Sequence, residues 1–408
     1  MIMLIKLAWR NIWRNKRRTF ITMGSIFFAV ILSTLMMSLK EGIYARMISS
    51  LVGTYTGYIQ IHAPGYWADK SVDESMEITD SLIRAVSETN GVTGYVPRIE
   101  NFALAASKEI TKGSMVVGID IELEKGYSSI HERISHGQYL EEGDRSVLVG
   151  AGLADYLNLE VEDTIVLLGA GYHGVSAAGK YPIKGIVTFG SPDLSKQLVI
   201  LPLAEAQWFY GAEGKVTNVV VLVDDPDNSK RIDQALKTKL QDRYEVMHWE
   251  EMSPEIKNLI ETDRVEGYVF MFILYMVISF GIFGTMLMMM AERMHEFGVL
   301  IAVGMKRMNL AGMVWLETLM ISLMGAFAGM IGALPVCAYF HFSPIEFAKG
   351  EEMAKMYEEY GMEAVMQASI EPTVFIQQAV VVALMATVIA VYPFLKILRL
   401  RAINAMHS

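Results

Sequence analysis

Tyr268 to Met290 reads YVFMFILYMVISFGIFGTMLMMM, 23 residues without a charge. A helix needs about 20 such residues to cross the hydrocarbon core of a bilayer, so this stretch predicts a membrane span. Working outward, the same test selects Phe20 to Leu39 (FITMGSIFFAVILSTLMMSL, 20 residues) and Pro372 to Leu395 (24 residues). Between Arg307 and Glu346 the chain carries one charge, Glu317, with Pro335 near the far end. That length suits one tilted or kinked helix, a hairpin of shorter helices being the alternative. Four spans follow, at residues 20–40, 268–290, 310–340 and 372–395.

The rest of the composition is that of a second environment. The 408 residues are 52% hydrophobic and 20% charged, with 35 basic against 45 acidic side chains and a net charge of −10. Such hydrophobicity excludes intrinsic disorder, and a single cysteine, Cys337, excludes a disulfide-stapled fold. The acidic balance argues against nucleic acid as a partner. Positive charge is concentrated at the span ends: Lys6, Arg10, Arg14, Lys16, Arg17 and Arg18 with no acid before residue 19, Arg293, Lys306 and Arg307 in the loop 291–309, and Lys396, Arg399 and Arg401 in the tail 396–408. Lys and Arg gather on the cytoplasmic side of a membrane. Both termini and the loop 291–309 are therefore expected inside, residues 41–267 and 341–371 outside, and the acidic surplus belongs to the exterior. Span one reads as an uncleaved anchor, since no small-x-small cleavage site follows Leu39.

Residues 1–19 predict an interfacial amphipathic helix: LIKLAWRNIWRNKRRT places Leu4, Leu7, Ala8 and Ile12, with Trp9 and Trp13, toward lipid and its basic residues toward headgroups. The outer segment 41–267 alternates strand-like and helix-like pieces. GYIQIHA, SMVVGID, DTIVLLG, YPIKGIVTF, KQLVILPL and NVVVLV are β-rich. SLIRAVSETNG reads as a helix capped by Asp80 and stopped at Gly91, and RSVLVGAGLADYLNL as strand, turn and short helix. SKRIDQALKTKLQDRY is a further helix. EIKNLIETDRVEG is a polar stalk running into span two. The expected architecture is a polytopic α-helical membrane protein, with four transmembrane helices and a large α+β extracytoplasmic domain between the first two. Outside as well, GEEMAKMYEEYGMEA (350–364) predicts a short helix.

Catalytic motifs fail on inspection. Gly174 to Lys180 (GVSAAGK) has the spacing of a phosphate loop, but Tyr181 follows where Ser or Thr would bind magnesium, and a Gly/Ala/Ser turn between strands accounts for it. Around Ser176 a nucleophile elbow lacks its second Gly, Ala178 standing there. His131-Glu132 and His295-Glu296 lack the second His of a zinc helix, Ser135 and Val299 taking its place.

Two stretches carry more. AERMHEFGVLIAVGMKR (291–307) is rich in both charge signs and broken by Gly298 and Gly304, which suits a short surface helix docking on a soluble partner; a solvated connector is the plainer alternative. Phe27, Phe28, Phe280 and Phe283, with Met36, Met37 and Met286, offer rings and flexible thioethers that suit acyl chains of varied shape, ordinary lipid-facing or packing roles being the alternative. Gly325 and Gly329 form a close-packing motif. For Glu317 three roles stay open: protonation, pairing, or reaching the cytosolic interface near Trp315.

Taken together, WRNIWRNKRRT (9–19), GYIQIHAPGYW, VLVGAGLADYLNLEVEDTIVLL (147–168), the loop AERMHEFGVLIAVGMKR, Glu317 and Tyr392-Pro393 resemble the MacB/FtsX-like permeases of ABC transporters, and within them the lipoprotein-releasing (LolC/LolE-type) permeases. Glu162-Asp163 departs from the family's usual Gly-Asp. The resemblance implies that 291–309 is a coupling segment, with Glu292, Arg293, Glu296, Phe297, Gly298, Ala302 and Gly304 meeting an ATPase. It implies a cytoplasmic ABC ATPase dimer as a separate polypeptide holding ATP and magnesium, no cofactor on this chain, and a second permease copy or paralogue. Mechanical transmission in a bacterial inner membrane, releasing lipoproteins to a periplasmic carrier, is the implied activity. A MacB-like efflux or peptide-export permease and an FtsX-like regulator of a cell-wall hydrolase are the alternatives.

Overall fold

The computed structural model describes residues 2–14, 16–108, 110–189, 192–346 and 365–399. The stretch 350–364 expected to form a helix, and most of the tail 396–408, lie outside them. The chain divides into two compact units, residues 1–44, 259–346 and 365–408 in one and residues 45–258 and 347–364 in the other.

The first unit is helical: α1 (Ile2–Arg14), α2 (Lys16–Ile48), α3 (Pro254–Glu292), α4 (Met294–Ala302), α5 (Arg307–Phe342), α6 (Pro372–Ile389) and α7 (Val391–Leu398). Four stretches are long and apolar enough to cross a membrane, Thr19–Ile48, Pro254–Glu292, Arg307–Phe342 and Pro372–Leu398, and they contain the four runs read from the sequence. At 39 residues and 1.5 Å per residue, α3 is about 58 Å long, so the polar stalk and the apolar run are one continuous helix. The last run is not one helix. It breaks at Ala390 (φ −67, ψ −11), because Pro393 has no N–H to offer Ile389 and its ring crowds that carbonyl.

Packing within this unit relies on close backbone approach. A Cβ on Gly329 of α5 would stand 2.7 Å from the Val30 Cβ on α2, and one on Gly325 2.9 Å from the Ile26 Cβ. Ile26 and Val30 share a core with Ile278, Ile282, Ala326 and Val382. Farther along, α2 and α3 are tied by Lys40 Nζ to Asp263 Oδ2 at 2.9 Å, by the Tyr44 hydroxyl to the same carboxylate, and by Arg264 to Glu41 at 3.3 Å. The helix α1 corrects one expectation. Ala8 and Ile12 do not face lipid but are buried, Ala8 beside Met290 and Phe297 and Ile12 beside Met289 and Ile321, leaving Trp9 and Trp13 exposed. Ala8 and Ile12 are four residues apart and form a stripe narrow enough to pack on neighbouring helices.

The second unit is α+β, with strands β1 (Ile59–His62), β2 (Val92–Ser107), β3 (Ile110–Ile119), β4 (Val147–Gly150), β5 (Thr164–Ala170), β6 (Ser176–Val187), β7 (Leu198–Pro202), β8 (Asn218–Val223) and β9 (Glu245–His248). The long strand β2 serves two assemblies. Its first half pairs with β8, β8 with β1, and β1 with β9, all antiparallel. Its second half closes a ring, β2–β3–β7–β4–β6–β5 and back to β2. Alternation puts Ala105, Val116, Val149, Ile165, Leu167 and Val199 in the core beneath this ring, while helices Asp80–Ser87 and Ser229–Leu240 cover Ile59, Ile61, Val219 and Val221 of the four-stranded part. Two local expectations are corrected. Thr79, not Asp80, caps the first of those helices, its Oγ1 accepting the Leu82 N–H at 3.3 Å, with Asp80 in the first turn where the helix dipole favours it. Ser176 to Lys180 is not a turn but the start of β6, paired to β5, and Gly174 (φ +78) carries the reversal before it.

Candidate functional site

The segment between the second and third apolar helices forms a compact joint. The helix α3 ends at Glu292, Arg293 leaves helical geometry (φ −105, ψ 7), and α4 begins at Met294. Gly298 does not break α4 as expected but is buried within it. The stop comes at Gly304: its N–H donates to Ile301 O and the Met305 N–H to Leu300 O, both at 3.0 Å, the doubled closure that requires a left-handed residue. Gly304 has φ +105, a backbone only glycine adopts freely. Lys306 (ψ 133) then turns the chain into α5.

One face of α4 is anchored. Phe297 is fully buried with Ala8, Leu310, Val314 and Ile397 around it. Beside its ring, 5.3 Å from the centroid, the Arg293 guanidinium places Nη1 between both Glu317 oxygens, at 2.9 and 2.8 Å. The same side chain donates from Nε to Glu296 Oε2 at 3.3 Å, and that oxygen also accepts from Arg14 of α1. The Arg14 hydrogen bond holds the Glu296 carboxyl below its usual range. Asn11, Thr19, Thr22 and Glu292 line the same cleft. The opposite side of the joint is bare: Val303 is 82% exposed, and Val299, Ala302 and Met308 are exposed with it.

The residues singled out in sequence are therefore sorted by the structure. Arg293, Phe297 and Gly298 turn inward, Glu296 is half-exposed in its pairs with Arg293 and Arg14, Glu292 and Ala302 are exposed, and Gly304 shapes the end of the helix. Arg14 was missed, and of the three roles left open for Glu317 the structure shows pairing. The signal was available in part, since a lone carboxylate in an apolar helix calls for a cation, but Arg293, Lys306 and Arg307 of the adjoining loop are equally plausible partners from sequence.

The seven acyl-chain candidates do not form one site. Met36 and Met37 share a cleft with Tyr44, Tyr268 and Met271. Phe27 packs against Gly332 and the Phe28 ring, Phe283 lies edge-on to Tyr392 at 5.2 Å, and Met286 is buried. Phe28 and Phe280 point outward, 70% and 69% exposed. Among the described residues, no three His, Cys, Asp or Glu side chains converge as a metal site.

Residues 19–239 match the family model of the MacB-like periplasmic core domain, and residues 268–402 that of the FtsX-like permease C-terminal. The chain belongs to the MacB/FtsX-like permease family. LolC, the lipoprotein-releasing system transmembrane protein of Xylella fastidiosa, is similar at 23% identity over 254 residues, 60% of each chain. The macrolide export ATP-binding/permease protein MacB of Agrobacterium fabrum is 21% identical over 354 residues, 84% of this chain and 54% of that one. The chain thus spans little more than half the length of these curated relatives. An uncharacterized ABC transporter permease of Methanocaldococcus jannaschii is 20% identical over 80% of this chain and 82% of its own. Among solved structures, the periplasmic region of MacB from Actinobacillus actinomycetemcomitans covers 50% of this chain and 92% of its own, at 13% identity and a TM-score of 0.33. In this permease-family chain the joint from Glu292 to Arg307 falls inside the FtsX-like match, and the β2 ring inside the MacB-like one.

Proposed function

We propose that the chain is the permease subunit of an ABC transporter of the mechanotransmission type and that α4 is its coupling helix. The observation that carries this reading is the division of the joint into an anchored side, Phe297 and the Arg293–Glu317 pair, and a bare side at Val299, Ala302 and Val303. A short helix held rigidly on one side and apolar on the other is built to receive a partner. That partner is a cytoplasmic ABC ATPase dimer, which holds ATP and magnesium; this chain is non-catalytic and works beside a second permease copy or paralogue. The basic flanks of the apolar helices support both ends and α4 on the cytoplasmic side of a bacterial inner membrane, with the α+β unit in the periplasm.

Lipoprotein release to a periplasmic carrier is the substrate reading, supported by the likeness to LolC and by the runs Tyr268 to Met290 and Pro372 to Leu395, which are free of charge. Export in the manner of the MacB name is the second reading, supported by a likeness that extends over 84% of this chain. Co-purification tests the coupling assignment: Glu292→Lys and Val303→Asp should each lower recovery of the ATPase with the permease at least tenfold, and unchanged recovery in both removes the assignment. Transfer of a triacylated lipoprotein from reconstituted vesicles to a soluble carrier tests the substrate. Export of a drug or peptide without any such transfer overturns lipoprotein release.

A further inference from the structure

Among the described residues of the helical unit, Arg293–Glu317 is the ion pair with both side chains closed off, 9% and 6% exposed. Burying two charges is expensive, and well-packed apolar residues would hold helices together as well or better. What an apolar contact lacks is direction: hydrophobic burial is indifferent to angle, whereas charge-assisted hydrogen bonds fix one. The placement of this pair uses that property. Arg293 occupies the non-helical step between α3 and α4, and its guanidinium reaches α5 through Glu317, α4 through Glu296 and, across the shared Glu296 oxygen, Arg14 of α1. One side chain thereby stands where four helices meet, with the Phe297 ring packed beside it.

We propose that Arg293 and Glu317 are positioning residues that lock α4 at a fixed angle to α5, so that force applied to the bare side of α4 turns the apolar helices instead of rocking α4 alone. The inference rests on the reading of α4 as the ATPase-docking helix. Without the Glu317 charge, the guanidinium keeps its hydrogen bond to Glu296 of α4 and loses its charged link to α5.

The test uses the full chain in nanodiscs, with and without its ATPase, in a Cys337→Ala background. Nitroxide labels at the exposed positions His295 of α4 and Leu323 of α5 (His295→Cys, Leu323→Cys), both outside the bare patch of Val299, Ala302 and Val303, report the α4–α5 distance by pulsed electron resonance. The expected result is a narrow distribution that Glu317→Gln broadens at least twofold, that Arg293→Lys broadens less, and that Glu317→Asp largely restores. With the ATPase bound, a second label pair at Phe28 and Phe280 should shift on adding ATP and vanadate in the parent chain but not in Glu317→Gln, while ATPase recovery stays at the parent level. A merely stabilising pair would lower the melting temperature without uncoupling the two label pairs. A parent-like width or a parent-like nucleotide response in Glu317→Gln overturns the proposal; should Glu317→Gln not fold, a parent-like width in Arg293→Lys does so. If the parent chain binds no ATPase, the docking role of α4 falls, and the α4–α5 width alone still decides whether the pair fixes the angle.

Discussion

His62 is fully buried on β1, its ring stacked on Tyr66 at 5.0 Å and its Nδ1 3.3 Å from the Thr217 carbonyl. A carbonyl only accepts, so Nδ1 carries the proton of a neutral ring. Burial pushes the pKa down to about 4. Because the folded value lies below the unfolded 6.5, the fold gains nothing from protonation; as pH falls from 6.5 to 4 the unfolded chain binds a proton that the folded one refuses, and stability drops by about 3 kcal/mol. Thermal unfolding of the full chain at pH 7 and at pH 4.5 should show this loss, and His62→Gln should remove that part of it; an undiminished pH dependence in the variant would place the effect elsewhere. Glu162 offers the opposite case. It sits at φ +76, at the position where the family resemblance implies glycine, and its N–H donates to Ile183 O at 2.9 Å, a bond that any residue keeps. Left-handed backbone costs a side chain about 1–2 kcal/mol and glycine returns about half as unfolded-state entropy, so Glu162→Gly should raise stability by about 0.5–1 kcal/mol, or about 2 °C in the melting midpoint. The missing glycine was legible in the sequence, and so was the need of Glu317 for a partner. That the partner is Arg293 was not, because it depends on where the α3–α4 step lands against α5.

At the scale of elements, α5 meets α2 through glycines that differ sharply in their surroundings. A Cβ on Gly329 would press within 2.7 Å of the Val30 Cβ and 3.0 Å of the Phe27 carbonyl oxygen, whereas one on Gly312 of the same helix meets nothing within 4 Å. Gly329→Ala should therefore force the helices apart at a cost of about 1–3 kcal/mol, while Gly312→Ala should be neutral or gain up to about 1 kcal/mol from helix propensity. Melting of the detergent-solubilised chain measures both, and equal behaviour of the two variants would sink the close-packing account. Apolar run length made the long helices readable, since a run of 20 or more uncharged residues has few other fates. The break at Ala390 was written in Pro393 yet concealed by the unbroken hydrophobicity around it. The ring of strands was not readable: each strand announces itself by composition, but the pairing of β2 with both β8 and β5 joins residues far apart in sequence, and no local pattern specifies it.

At the scale of the whole molecule, the two units have separate cores. Ala105, Val149 and Leu167 pack in one, Ile26, Val30 and Ile282 in the other, and Glu162 and Gly329 belong to different units. Substitutions without shared partners add in their effects on stability. Yet the residues of α2 and α3 are shared out between the two units, and the proposed coupling stroke would require those helices to carry motion without making the units a single cooperative block. The double variant Glu162→Gly/Gly329→Ala separates these possibilities. Heating the full chain in nanodiscs should give two transitions, the one from the α+β unit raised by about 2 °C and the one from the helical unit lowered, each by the amount of its single variant. Near-ultraviolet circular dichroism can assign them, since the six tryptophans fall in both units, with Trp9 and Trp13 in α1 of the helical unit and Trp208 and Trp249 in the α+β unit. A single transition that moves with either substitution would mean that α2 and α3 weld the molecule into one folding unit, and a coupling stroke would then have to deform the α+β unit rather than move it as a body.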